Sequence, residues 1–262
     1  LAGLVLANPV RAQAVDDDVW IRAEAYFPNV DTEVSIARPG QENFTTLIDL
    51  ESDLDLSDRD VLPALTIGKK ISQHWRAQFE FYRLNRSGTK TLDRQIVFDG
   101  VTYPVAASLE SAFKSDVYHL SVGYGLIKEP NFEAGVALGV HATKFEISLE
   151  GMGQVGTAAA TTELRTRDML APLPTVGAYL LFRPAPRFGI GGKADYLSLK
   201  IGDYKGLLVN LQADATYAIT EHIRIGGMYR YVKYRVDIEK PAYTGRIAYK
   251  FHGPAAFLEL AW

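Results

Sequence analysis

Apolar side chains recur at every second position through most of this chain. From Leu207 to Ile219, Leu207, Val209, Leu211, Ala213, Ala215, Tyr217 and Ile219 alternate with Leu208, Asn210, Gln212, Asp214 and Thr216. Phe132, Ala134, Val136, Leu138 and Val140 alternate with Glu133, Gly135, Ala137, Gly139 and His141. Trp75, Ala77, Phe79 and Phe81 alternate with Arg76, Gln78 and Glu80. Successive side chains of a strand point to opposite faces, so each segment has one apolar face and one carrying charge. No segment sustains a helical period. The pattern predicts strands at 19–36, 61–71, 75–86, 114–125, 132–149, 170–183, 188–201, 207–219, 222–238 and 247–262.

The connections alternate in length. Ser72-Gln73-His74, Lys128-Glu129-Pro130-Asn131, Pro184-Ala185-Pro186-Arg187 and Thr220-Glu221 are short. Between them fall connections at 37–60, 87–113, 150–169, 202–206 and 239–246. Trp75, Tyr124, Phe132, Phe182, Phe188, Tyr217 and Trp262 sit on the apolar face beside a short turn or at the C-terminus. In a closed wall they form one ring, as expected where one end of an aromatic side chain meets lipid and the other water. A second ring, Phe81, Tyr118, Tyr196, Tyr229 and Tyr231, is expected above it. The predicted fold is all-β, a closed antiparallel up-and-down transmembrane barrel of about ten strands, with eight or twelve as alternatives. A soluble sandwich or lipocalin-like barrel is the competing reading. Gln95 to Val105 could form its own hairpin, and Gly253-Pro254 is expected to bulge or break the last strand.

The 262 residues contain no cysteine, which excludes a disulfide framework and thiolate chemistry. A net charge of −3 offers nucleic acid no electrostatic footprint. No run reaches the roughly 18–20 apolar residues of a membrane helix, whereas a barrel strand needs only about 9–11 alternating ones. Leu1 to Ala7 is an apolar run, and Ala12-Gln13-Ala14 follows it. Together they have the form of a signal-peptide tail and its cleavage site. Residues 1–14 are therefore expected to be removed, leaving 15–262 as one barrel domain.

The chain ends Ala255-Ala256-Phe257-Leu258-Glu259-Leu260-Ala261-Trp262, with Leu258, Leu260 and Trp262 on one face. This ending resembles the assembly signal of bacterial outer-membrane β-barrels. With the strand alternation and turn asymmetry, the chain resembles the small barrels of that class, such as those of outer membrane proteins A and W. The ten strands read here exceed the eight of those two barrels. The stretch from Ile48-Asp49-Leu50-Glu51 to Asp53-Leu54-Asp55-Leu56 resembles one in uncharacterised proteobacterial outer-membrane proteins. The resemblance implies an outer-membrane location in a Gram-negative bacterium. It implies contact with outer-membrane lipids and lipopolysaccharide, and with the barrel-assembly machinery during insertion. A monomer is favoured.

The face opposite the apolar one carries Arg22, Glu24, Arg76, Glu80, His119, Glu133, Lys193, Asp195, Asp214, Arg224, Arg230 and Glu259. Buried charges must pair and hydrogen-bond, so these are expected to form a polar network filling a narrow or interrupted lumen. His119 and Ser121 share that face; a serine nucleophile needs a base within reach, but parity points the pair away from lipid. No phosphate loop, nucleophile elbow or His-rich metal motif is present. No catalytic residue, metal or cofactor is assigned. The acidic loop from Asp49 to Asp60 is expected to be solvated or folded over the barrel mouth. Pro63, Pro172 and Pro174 are expected to mark breaks in strand pairing, compatible with a lateral opening in the wall. The leading functional expectation is a non-enzymatic barrel with a narrow or plugged pore, or a structural or surface role. A surface-binding adhesin acting through long loops, and an outer-membrane lipid or peptide hydrolase, are the alternatives.

Overall fold

The computed structural model describes residues 17–38, 40, 45–156, 161–241 and 243–262. The signal-like segment 1–14 and residues 157–160 of the 150–169 connection lie outside them. The strands are β1 (Val19–Tyr26), β2 (Asn29–Ala37), β3 (Ile48–Asp49), β4 (Leu62–Lys70), β5 (Trp75–Thr91), β6 (Ile96–Phe98) and β7 (Val101–Tyr103). After these come β8 (Ser108–Glu129), β9 (Phe132–Gly153), β10 (Thr161–Ala185), β11 (Phe188–Ile201), β12 (Tyr204–Ala218), β13 (Ile223–Lys240) and β14 (Tyr243–Ala261). The wall runs β1-β4-β5-β8-β9-β10-β11-β12-β13-β14, and β14 closes it by pairing with β1. That is the ten-strand antiparallel ring the alternation predicts.

The predicted strand at 19–36 occupies one place in the wall but is interrupted. β1 pairs with β14 from Trp20↔Ala261 to Tyr26↔Ala255. β2 resumes along the same partner from Asn29↔His252 to Thr244↔Ala37. The break therefore falls at Phe27-Pro28, not at Gly253-Pro254, where β14 is continuous. Proline lacks the N–H that would continue the ladder. Gly253 accommodates the kink: a Cβ there would lie 2.4 Å from the Phe27 carbonyl oxygen.

The other prolines also stop ladders, each on one side only. Pro63 keeps its place opposite Ala25, but the β4–β5 ladder ends at Ala64↔Tyr82. Pro172 and Pro174 stay opposite Ala142 and Val140 of β9, while pairing with β11 ends at Val176↔Tyr196. The wall is thus split between β10 and β11 above Val176. Leu173 and Leu197 are buried there, and the Leu173 side chain lies over Gly206 of β12.

Strands β5, β8, β9 and β10 are longer than the alternation suggested, at 17, 22, 22 and 25 residues. At about 3.3 Å per residue and a tilt near 40°, a strand of that length rises roughly 40–60 Å, against an apolar band of about 25 Å. The surplus stands beyond the long-loop end of the band, in residues the sequence pattern assigns to loops.

Along these strands the two faces exchange character. Near the short turns the outer face is apolar. Leu65, Ile67, Phe79, Leu120, Val136, Leu138, Leu211, Ile225 and Leu258 are exposed, as are Trp75, Tyr124, Phe188, Tyr217 and Trp262 of the predicted lower ring. Trp75 packs edge-on against Tyr124, and Phe132 against Phe182. Tyr118, Tyr196 and Tyr229 of the upper ring are also exposed, with Phe81 against Tyr118. Beyond that ring the outer face carries ion pairs, Arg83–Asp116 and Lys114–Glu146. The inner face there is apolar: Phe113, Val117, Phe145, Ile147, Leu149, Val232, Tyr234, Val236, Ile247, Tyr249 and Phe251 are buried. A single register thus builds a lipid-facing barrel below and a water-facing barrel with its own core above.

Candidate functional site

The lumen has three levels. Nearest the short turns, Arg22, Glu259 and Arg224 stand in one cross-strand row on β1, β14 and β13. Arg22 donates to Glu259 Oε2 at 2.8–2.9 Å and lies 3.8 Å from Asp214. Arg224 donates to Glu259 Oε1 at 3.2 Å and to both carboxylate oxygens of Asp17, at 2.5 and 2.9 Å. Across the lumen Arg76 pairs with Glu133 at 2.7 Å, and the Tyr179 hydroxyl donates to the same Glu133 oxygen at 2.8 Å. Glycine makes room for this: a Cβ on Gly135 would sit 2.7 Å from the Tyr179 hydroxyl oxygen and 2.2 Å from the Tyr124 carbonyl. A cavity of about 90 Å³ remains, bounded by Trp20, Arg22, Arg76, Lys193, Asp214 and Glu259 among others.

At the middle level Arg230 forms an ion pair with Glu80 and lies 3.8 Å from Glu24. Its guanidinium faces the rings of Tyr26 and Tyr82 and donates to Gln212 at 3.1 Å. Thr66 donates to Glu24 at 3.1 Å. His119 Nδ1 lies 3.2 Å from Lys193 Nζ and 3.9 Å from Glu80. Lys193 is 3.6 Å from Asp195, which accepts from Asn210 at 3.0 Å. The His119 and His141 rings lie 4.8 Å apart. The twelve lumen residues named from the sequence are therefore all drawn into charge contacts. Asp17, Trp20, Thr66 and Tyr179 were missed. Tyr179 carried a signal, since it shares the inward parity of β10 with Gly177 and Leu181.

Ser121 and His119 both face inward and are buried, and the His119 Nδ1 is directed at a lysine ammonium. A nucleophile and base need a shared opening to substrate; above this pair lies the apolar core. Leu258, Leu260 and Trp262 point the other way and are exposed on the outer wall.

The third level closes the mouth. The loop around β3 folds inward, burying Ile48, Leu50, Leu54 and Leu56. It occupies the gap that Pro63 leaves between β2 and the upper part of β5. The β6–β7 hairpin buries Ile96, Phe98, Val101 and Tyr103 beside it. At the hairpin tip Asp99, at φ 48°, accepts from Arg167 at 2.6 Å, with Arg38 at 3.8 Å. Burial pushes the Tyr103 hydroxyl up to about 12, so it stays protonated. Arg86 is the principal tie. It donates to Glu51, to the Ser57 carbonyl at 2.9 Å and to Thr32 Oγ1 at 2.7 Å. Arg94 holds Asp53. The acidic residues expected to be solvated or to cap the mouth thus fasten the cap. Carboxylate oxygens of Asp31, Asp49 and Glu51 do gather within 4.8 Å of one another, but Glu51 already faces Arg86.

No family model matches the chain, and no curated protein matches it. Among solved structures it is similar to the outer membrane protease OmpT from Escherichia coli. That match has a TM-score of 0.57 and 10% identity, covering 95% of this chain and 98% of that one. It is also similar to the outer membrane protein OprG from Pseudomonas aeruginosa, at a TM-score of 0.40 and 16% identity, covering 95% and 99%. The fold is that of the bacterial outer-membrane β-barrels.

Proposed function

We propose that this protein is a closed outer-membrane barrel with a structural or surface-binding role, and neither a solute pore nor an enzyme. One observation carries the reading: the inner face above the ion network is a continuous apolar core completed by the cap and the β6–β7 hairpin. Water does not cross a packed apolar layer, and the network beneath leaves only a small cavity. The upper half is then a rigid platform, charged outside, held by the membrane-spanning half at a fixed height. Its exposed rim, at the start of β8, the end of β9, the start of β10 and the cap, is where a partner would bind.

The test is conductance of the refolded chain in a planar bilayer. Wild type is expected to insert and pass no stable current. Replacing residues 45–60 with a short Gly/Ser linker is expected to open steps. Stable single-channel steps in wild type would overturn the closed-barrel reading.

A further inference from the structure

One edge of the wall carries backbone groups that the protein leaves unpaired. β10 pairs with β9 along an unbroken register from Thr161↔Gly153 to Phe182↔Phe132, but with β11 only from Val176 downwards. Extending the β11 register past the split would place Ile201, the end of β11, beside residue 171. Thr161–Leu170 therefore has no strand on that side. At about 3.3 Å per residue this edge is roughly 30 Å long, and it stands above the bilayer level.

The parity of the ladder fixes which groups face out. The Arg183 N–H donates to the Asn131 carbonyl beside β9, so odd residues of β10 direct their backbone groups to β9 and even ones to the other edge. Pro172 and Pro174 share that even parity, so the N–H they lack would face away from β9. Thr162, Leu164, Thr166, Asp168 and Leu170 each hold an N–H and a C=O outwards, and among the described residues no backbone group meets them. Natural sheets blunt such an edge with a bulge, a proline or a covering loop. Here the register is unbroken, no proline falls between 161 and 170, and Leu164 and Leu170 are each 56% exposed. The outer face beside the edge is acidic. Asp168 stands opposite Glu146, which Lys114 holds at 2.8 Å, and Glu110 stands opposite Glu150. Among the described residues of this face on β8, β9 and β10, Glu110, Glu150 and Asp168 lack an ion pair, against one such cation, Lys144, in the row of Leu170.

We propose that the β10 edge over residues 162–170 binds an extended segment of a partner protein as an added strand, with apolar side chains opposite Leu164 and Leu170 and a basic one opposite Asp168. The inference deepens the surface-binding arm of the proposed function and rests on it. Strand addition draws affinity from the ladder and specificity from alternate side chains. A second barrel in the same membrane does not fit this edge. Two copies related by an axis along the membrane normal would cross their β10 strands at twice the tilt, about 80°, and no ladder forms at that angle.

The probes are the peptide Val-Thr-Lys-Thr-Thr-Thr-Val and its counterpart with Glu in place of Lys. Laid antiparallel on the edge, the first puts Val opposite Leu170 and Leu164 and Lys opposite Asp168. Each is titrated into the folded chain in neutral detergent, with binding read by fluorescence anisotropy and amide exchange by NMR. Wild type is expected to prefer the Lys peptide by about threefold or more, the scale of an opposed charge pair. Exchange is expected to slow at the Leu164 and Thr166 amides, while Arg165, already bonded to β9, does not change. Asp168→Lys is expected to reverse the preference. Thr166→Pro removes one outward N–H and spares the β9 ladder; it is expected to weaken binding about tenfold and to melt as wild type does. Asp168→Lys carries the test alone if the proline variant does not fold. No binding, equal binding of the two peptides, an unreversed preference in Asp168→Lys, or slowed exchange confined to other segments would overturn the proposal. A dimer in bilayers that Thr166→Pro abolishes would also overturn it, by giving the edge to a second copy. Conductance of the same samples separates the two readings: a wild-type current strikes the closed barrel and leaves the edge result standing.

Discussion

Arg86 offers the sharpest test of how the mouth is closed. It lies on β5, is buried, and links that strand to β2 through Thr32 and to the cap through Glu51 and Ser57. Its guanidinium also faces the Phe113 ring at 5.6 Å. Arg86→Met keeps most of the volume and removes the charge. Breaking a buried pair from one side costs about 3–5 kcal/mol. Glu51 is only partly buried and can rehydrate as the cap lifts, so about 3 kcal/mol is the reasoned cost. At 1.4 kcal/mol per decade, this is a rise of roughly a hundredfold in the cap-open population. Hydrogen exchange of residues 45–60 in micelles reads it directly. The wall strands β8 and β9 should stay protected, because the loss is local. Arg86→Met/Glu51→Gln should recover part of it, leaving a coupling of about 1–3 kcal/mol. Unchanged exchange in the cap of Arg86→Met would falsify the assignment of Arg86 as its tie.

Two other perturbations probe different levels. Arg230→Met leaves Glu80 and Glu24 facing each other without their shared cation and is expected to cost about 3–5 kcal/mol. Thermal melting in detergent should show a large fall that Glu80→Gln in the same chain partly restores; additive losses would refute the pairing. Asp53 is buried enough to be pushed up, but the Arg94 hydrogen bond and the Asp49 N–H outweigh this and hold it below its ordinary value of 3.8. Its contribution is therefore present above pH 3.8 and lost as pH falls through the lowered value. Glu51 shifts the other way, raised by burial against the pull of Arg86, so its contribution fades as pH rises through the raised value. Limited proteolysis of the cap should show acid opening below about pH 3.8 in wild type and none in Asp53→Asn. The same acid opening in both proteins would exclude Asp53 as its cause.

The ring was legible because period two survives wherever one strand face meets lipid. Trp75, Tyr124 and Phe188 could be placed beside short turns without any coordinates. Strand ends were less legible, since Glu110, Glu150 and Asp168 fall in segments read as connections when charge on the outer parity is taken to end a strand. They lie on strands, outside the bilayer level, where charge is favourable. The signal was present on the opposite parity: Leu109 and Phe113 keep the inward phase of Val117 and His119, and Met169 keeps that of Leu173. The cap ties were not legible. Arg86 and Glu51 are 35 positions apart, and their meeting depends on the gap left by Pro63.

The exchange of faces has a consequence for how this chain tolerates change. Along β13, a saturation scan would trace two superposed preference waves, out of step by one residue. Below Tyr229 the odd positions would reject polar replacements and the even ones accept them. Beyond Lys233 the assignments swap, so a carboxylate tolerated at 235 would be ruinous at 225. Averaged over the whole strand, the scan would show little preference at any parity. The boundary between the two regimes would mark the membrane surface to within about one ladder row, with no lipid in the experiment.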